Sequence, residues 1–336
     1  MEIIMPYIWL IVGFVCLIKG ADFFVEGSSS VAKLLNIPPI IIGLTIVAMG
    51  TSAPETAVSI SAALDGVNGI AVGNVVGSNF FNLLIVVGIC ALLQPIKVTK
   101  DLLKRDFPFS ILATVILLGL LIVGSDFDIN AFKDYGLARF SGITMLVLFV
   151  AYLIILVHSA LKNRDAETEE ISTHSPIASI LLIAVGLVGI IVGGNLVVDN
   201  AKIIAVSLGM SDTLIGLTVV AFGTSLPELV TSIVAARKGE SDMALGNVVG
   251  SNIFNILLVL GISAVVQPIA LGPQGIDSII DTVLLIAVNL VVLIMVLKND
   301  TLRFKGGSFM ILMYVAYTAY IIARNYQMLP AALTFA

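Results

Sequence analysis

Gly50-Thr51-Ser52-Ala53-Pro54-Glu55 returns 173 residues later as Gly223-Thr224-Ser225-Leu226-Pro227-Glu228. The same offset carries Gly73-Asn74-Val75-Val76-Gly77-Ser78-Asn79 onto Gly246 through Asn252 without a change, and Gln94-Pro95-Ile96 onto Gln267-Pro268-Ile269. No gap is needed from Gly20 to Ile96, and about half of the aligned positions are identical. A duplication this regular means that one structural unit is used twice.

The solvent of that unit follows from composition. Of 336 residues, 59% are apolar and 12% charged, against about 25% charged in soluble proteins. The mean hydropathy is +1.11. A single soluble core cannot hide that many apolar side chains, so a lipid bilayer surrounds most of them. Ten segments carry the roughly 20 mostly apolar residues that a membrane helix needs: 5–25, 38–63, 70–93, 107–124, 139–161, 177–199, 211–236, 243–266, 279–297 and 308–324. Their apolar runs are continuous and do not alternate, which excludes a β-barrel reading. The first run lacks a basic flank and has a counterpart in mid-chain, so it reads as a span and not as a cleaved signal. The expected fold is an all-α membrane protein.

The repeat divides the chain into residues 1–161 and 177–336, five spans each, with a polar linker at 162–176 that contains Arg164, Asp165, Glu167, Glu169 and Glu170. Five is odd, so the second unit enters the membrane in the opposite sense. Two inverted five-helix repeats, with a substrate site near the midplane between them, are a common plan of secondary transporters. The loop charges agree. An outside N-terminus puts Lys33, Lys97, Lys100, Lys104, Arg105, Lys162, Arg164, Arg237, Lys238, Lys298, Arg303 and Lys305 in the cytoplasm. Lys133, Arg139, Lys202 and Arg324 remain outside, as the positive-inside rule requires, and both termini are then external.

Glu55 and Glu228 each fall in the middle of an apolar span. A charge at the bilayer centre costs about 2.5–3.5 kcal/mol on insertion scales and marks a functional site by default. The bland alternative is an ion pair, and the only basic residue inside a span is Lys19. Asp22 and Glu26 lie one and two turns along its own helix, so Lys19 pairs locally or snorkels. Two acids without basic partners require a cation. Thr51 and Ser52 share a helix face with Glu55, as Thr224 and Ser225 do with Glu228. Pro54 and Pro227 lack an N–H, which leaves the carbonyls of Gly50 and Gly223 without their helical partners. Such broken turns at membrane depth belong where they line a cavity. Carboxylates, hydroxyls and freed carbonyls suit calcium or sodium, not zinc or copper.

The following spans carry Asn74, Ser78 and Asn82 at i, i+4 and i+8, repeated as Asn247, Ser251 and Asn255. These stripes read either as part of the ion pathway or as interhelical glue. Their glycines, Gly73 and Gly77 with Gly246 and Gly250, have small-xxx-small spacing suited to close helix packing. No P-loop lysine follows them. Cys16 and Cys90 read as small buried apolar residues, and His158 and His174 as solvated side chains. With no basic patch, nucleic-acid binding is not supported, and no protein partner is evident.

The repeated Gly-Thr-Ser-x-Pro-Glu followed by Gly-Asn-Val-Val-Gly-Ser-Asn resembles the alpha repeats of the cation/calcium exchanger superfamily, and is most similar to its prokaryotic sodium/calcium exchangers. The resemblance covers both repeats and the ten-span layout, and it implies four cation sites arranged as a diamond. It implies that Glu55 and Glu228 bind calcium and also sodium. Thr51, Thr224, Ser52, Ser225, Ser78 and Ser251 would be further donors, with backbone carbonyls from Ala48 and Ala221. Asn82 and Asn255 match the paired central positions. Some relatives, notably potassium-dependent ones, carry aspartate at the position of Asn255, so the amide argues against potassium co-transport.

The implied activity is calcium/sodium antiport by alternating access, probed against a proton-coupled calcium antiporter, since desolvated glutamates can carry protons. The first and sixth spans would slide to gate access, and their Gly20, Gly186, Gly189, Gly193 and Gly194 suit such contact. An enzyme is not expected, because no nucleophile or metal cluster is visible at membrane depth. A channel would differ in needing no counter-ion. No cofactor is expected beyond the transported ions, and the expected location is the plasma (inner) membrane. The topology is testable by labelling: Asp165→Cys and Ser241→Cys should react only from the cytoplasm, and Asp128→Cys only from outside. Labelling of the first two from opposite sides would overturn the inversion.

Overall fold

Apolar runs of this length have one way to satisfy their backbone in lipid, which is to hydrogen-bond within the segment as helix. In a computed structural model, residues 4–124, 135–162, 174–208, 221–272, 275–299 and 301–325 are described. The first half contains α1 (Met5–Leu34), α2 (Pro39–Thr51), α3 (Ala53–Leu64), α4 (Asn68–Leu93), α5 (Leu102–Val123) and α6 (Arg139–Lys162). The second contains α7 (Pro176–Ser207), α8 (Ala221–Thr224), α9 (Leu226–Arg237), α10 (Ser241–Val266), α11 (Ile276–Asn299) and α12 (Phe304–Asn325). Among the described residues, eight helices are long and apolar enough to cross a membrane, or nine if the bent pair α2–α3 is one span. The expected span 211–236 lies in part outside the described residues.

Three helices, α1, α5 and α7, run well past their expected ends, and at α1 and α5 one physical reason accounts for it. Composition clips a span where charges begin, yet these charges are answered by neighbours. On α1, Asp22 lies 3.6 Å from Lys19 and 3.8 Å from Lys238, and Glu26 lies 3.6 Å from Lys238. Lys19 therefore pairs locally, as its spacing implies. His174, expected to be solvated, instead places Nε2 2.7 Å from Glu26 Oε1. At the start of α5, Arg105 grips buried Asp106 at 2.8 and 2.9 Å, and Tyr152 donates to Asp106 at 3.1 Å. Both cysteines are free thiols; Cys90 is buried and Cys16 half-buried.

Short antiparallel ribbons add strand where only helix is expected: β1 (Ile96–Lys97) pairs with β4 (Thr301–Leu302), and β2 (Tyr135–Leu137) with β3 (Ile269–Gly272). They occupy helix connections and leave the bundle unaltered.

α1 and α7 pack backbone to backbone along their length. A methyl at Gly20 would lie 2.6 Å from the Ile190 nitrogen, and one at Gly186 2.5 Å from the Phe24 nitrogen. Gly13 faces Gly193 and Gly27 faces Ser179, so the two helices run antiparallel. Gly20, Gly186, Gly189 and Gly193 thus hold α1 and α7 to each other. Of the five glycines assigned to sliding contact, Gly194 faces the core instead, at Pro227.

The expected close packing at Gly246 and Gly250 is present, against the backbone of α2 at Ile40 and Leu44. Residues 213–220, the repeat counterparts of 40–47, lie outside the described residues. Overpacking a tight contact costs about 1–3 kcal/mol. Gly20→Leu should therefore lower the melting temperature in detergent, whereas Gly119→Ala, at an exposed position with open space around it, should leave it unchanged or raised. Equal melting temperatures for both variants would remove the glycine seam as a stability element.

Candidate cation site

Each half breaks a helix at a serine. Ser52, at φ −81° and ψ 10°, separates α2 from α3, which diverge by 48°. Ser225, at φ −94° and ψ 5°, separates α8 from α9. Both lie in the sparsely allowed bridge region, and a proline in the first turn of each following helix enforces the break. Glu55 and Glu228 therefore sit in the first turns of α3 and α9. There the helix dipole offers about half a positive charge to an anion. Both side chains are 0% exposed, and among the described residues neither has a basic partner.

The hydroxyls that hold them cross between halves. Ser52 donates to Glu228 Oε1 at 3.0 Å, and Ser225 to Glu55 Oε1 at 3.1 Å. The same-half serines reach the same atoms, Ser78 to Glu55 and Ser251 to Glu228, each at 3.4 Å. Ser225 and Ser78 lie 3.0 Å apart. The four expected serines therefore form two buried clusters, Ser225 and Ser78 around Glu55 and Ser52 and Ser251 around Glu228. Only one oxygen of each carboxylate takes part. Oε2 of Glu55 and Oε2 of Glu228 are buried without a hydrogen-bond partner, as are both amide atoms of Asn82 and Oδ1 of Asn255.

The remaining expected residues divide by how far their atoms are already engaged. Thr51 directs its hydroxyl to the carbonyls of Val47 and Ala48 and to Asn247 Oδ1, and lies 3.5 Å from Ser251. Thr224 donates to Asn74 Oδ1 at 3.4 Å. The Ala48 carbonyl accepts from the Ser52 amide at 3.0 Å, and Ala221 opens α8. Asn74 donates to the Glu55 carbonyl and to Ser59 at 3.3 and 3.0 Å; Asn247 does the same to the Glu228 carbonyl and Ser232 at 3.5 and 2.9 Å. The two stripe asparagines thus spend their amides on bracing each broken helix, which is the glue reading of their pattern.

Two features of the site go beyond the sequence reading. Asn82 and Asn255 each open a π-helical turn, Asn82–Val86 and Asn255–Val259, a distortion found frequently at functional sites. Asn79 and Asn252 strap α4 to α10, each donating to the other's carbonyl, at 3.1 and 3.3 Å. They stand in the repeated motif, but one position off the i, i+4, i+8 stripe. Ser59 and Ser232 also repeat at the same offset, and that recurrence is the signal that could have found them.

Chemically, the site offers two unpartnered carboxylate oxygens and neutral amide and hydroxyl oxygens in a buried setting. Among the described residues no group of three or more His, Cys, Asp or Glu side chains is placed to hold a metal. A hard cation that tolerates neutral oxygens is the species such a donor set fits.

The sodium/calcium exchanger protein family matches residues 5–158 and 178–323. The inner membrane protein YrbG of Escherichia coli is 36% identical over 289 residues, covering 83% of this chain and 85% of YrbG. The sodium/calcium exchanger MaX1 of Methanosarcina acetivorans is 33% identical over 342 residues, covering 93% and 97%. The solved sodium–calcium exchanger NCX_Mj, soaked with sodium and calcium, superposes with a TM-score of 0.80 at 32% identity, over 94% of this chain and 98% of NCX_Mj. With its membrane-length helices and its buried oxygen site, the chain belongs to the sodium/calcium exchanger family: it is an integral membrane cation/calcium exchanger, not an enzyme.

Proposed function

We propose that the chain exchanges calcium for sodium by alternating access, with both ions competing for Glu55 and Glu228. The observation that carries this reading is the crossed hydroxyl network. Each carboxylate is fixed through Oε1 by a serine of the other half and keeps Oε2 free and buried. Calcium, with charge +2, neutralises the pair; sodium ions replace it on the return half-cycle. An empty site leaves two charges in a low-dielectric interior, which disfavours crossing unloaded and so enforces exchange.

In this reading Ser52, Ser78, Ser225 and Ser251 are neutral donors beside the carboxylates. Thr51 and Thr224, with the carbonyls of Ala48 and Ala221, serve the flanking positions, and Asn82 and Asn255 the centre. Ten spans form two inverted units, 1–161 and 177–336, joined by the cytoplasmic linker 162–176. The antiparallel packing of the equivalent helices α1 and α7 supports that inversion. The NCX_Mj and MaX1 names favour sodium as the driving ion, and the YrbG name favours the inner membrane, here with both termini outside.

Calcium uptake into proteoliposomes under imposed sodium, potassium or proton gradients tests the coupling. Uptake should follow the sodium gradient and need no potassium, because Asn82 and Asn255 add no charge to the two carboxylates. Uptake driven only by protons would transfer the chain to the proton-coupled class, and a strict potassium requirement would refute the role given to the amides.

The carboxylates are tested singly. Glu55→Gln and Glu228→Gln keep shape but remove a charge from a site that needs two, so either should abolish calcium transport. The melting temperature should hold or rise, because removing a buried charge lifts an insertion cost and orphans no basic group. Near-parental calcium affinity in either variant would refute the shared site.

A further inference from the structure

We propose that Asn79 is a positioning residue that fixes which atom of the Asn255 amide is presented to the transported cation. This rests on the exchange reading above and concerns a residue outside the oxygen set itself.

An amide side chain can point either way unless its neighbours decide, and here they decide in sequence. The Asn252 backbone carbonyl can only accept, so the Asn79 atom 3.1 Å from it is Nδ2. Asn79 Oδ1 is thereby turned to the opposite side, where it too can only accept. Its neighbour at 3.2 Å must be a donor, which makes that atom Asn255 Nδ2. Asn255 Oδ1 is left buried and without a partner. Asn255 stands one turn beyond Ser251, whose hydroxyl reaches Glu228. The relay therefore leaves a buried oxygen free one turn beyond the serine that reaches Glu228; the reverse orientation would leave an N–H₂ group, which repels cations.

The mate relay is open. Asn252 Nδ2 is pinned by the Asn79 carbonyl at 3.3 Å, but its Oδ1 has no partner. Asn82, the equivalent of Asn255, has neither amide atom engaged. One half thus presents a pre-oriented oxygen, and the other an amide that takes its orientation from whatever binds. Fixing a ligand's orientation before binding removes part of the ordering cost, and the loss of such an outer partner typically costs about 10- to 100-fold in metal affinity.

A double-mutant cycle tests the relay, with calcium titrated calorimetrically in detergent beside melting temperature. Asn79→Leu should weaken calcium binding about 10- to 100-fold. In an Asn255→Asp background both outer atoms of that side chain are oxygens, so orientation no longer matters. There Asn79→Leu should cost nothing, or should improve binding by removing an oxygen that faces the new carboxylate. An equal loss in both backgrounds would show a merely structural role and overturn the proposal, as would no loss in the parental background. If Asn79→Leu does not fold, Asn79→Ser, which is smaller, is read in the same cycle by the same criteria. A parental chain that binds neither calcium nor sodium overturns the exchange reading, and the relay with it. Parental binding with an additive cycle overturns the relay alone.

Discussion

A carboxylate enclosed by helices and hydrocarbon must be compensated, and no basic side chain among the described residues compensates Glu55 or Glu228. Much of the surrounding architecture follows from that constraint. The broken spans place each glutamate at the positive end of a new helix, and the crossed serines supply donors from the opposite half. In the proposed exchange the transported ions supply the rest of the compensation. Neither half can complete its own site, because the hydroxyls nearest in distance to each carboxylate belong to the other. The duplication is therefore a chemical requirement of the site as well as a feature of the fold.

Outside this centre, polar atoms are used differently. Asn74, Asn247, Ser59 and Ser232 spend their capacity on each other and on backbone carbonyls. They hold the bends that aim the glutamates. The charged ends of α1, α5 and α9 are likewise closed among themselves. Unpartnered buried atoms gather on four expected residues, Glu55, Glu228, Asn82 and Asn255, although Thr231, Ser28 and Ser141 show that not every orphan lies at the centre. In a buried network an unmade hydrogen bond is expensive, so atoms left free at matched positions in both halves point to a ligand.

Much of this was legible in the residues, because repetition converts weak signals into strong ones. A proline-kinked acidic helix is common; the same kink at a fixed offset is not. Ser52 and Ser225 were legible from helical spacing alone; for Ser78 and Ser251 spacing left ion pathway and interhelical glue both open, and the family resemblance named them as donors. Less visible was anything that depends on how helices cross. The straps between Asn79 and Asn252, and the reach of His174 to Glu26, join residues at least 148 positions apart. The π-helical turns at Asn82 and Asn255 change a register that ideal spacing takes as constant. Span ends were misjudged at α1, α5 and α7; at the first two, hydropathy counts a charge as an exit even when a neighbour neutralises it. The glycines of α1 and α7 were recognised as contact residues, but sequence could not say that they mostly touch one another.

That last arrangement has a mechanical meaning. Gly13, Gly20 and Gly27 on α1 face Gly193, Gly186 and Ser179 on α7, so both rows repeat every seventh residue. At 1.5 Å of rise per residue, such a row returns to register only after a displacement of about 10 Å. Any smaller shift of one helix along the other drives side chains into backbone. The two long helices therefore behave as one rod with a detent, and relative travel must be taken up where the rod joins the bundle. On α1 that joint is the short stretch from Leu35 to Pro38, with Asn36 held at a φ of 51° and Pro38 extended at a ψ of 136°. A displacement of the pair against the bundle would, on the α1 side, bend the chain at those four residues.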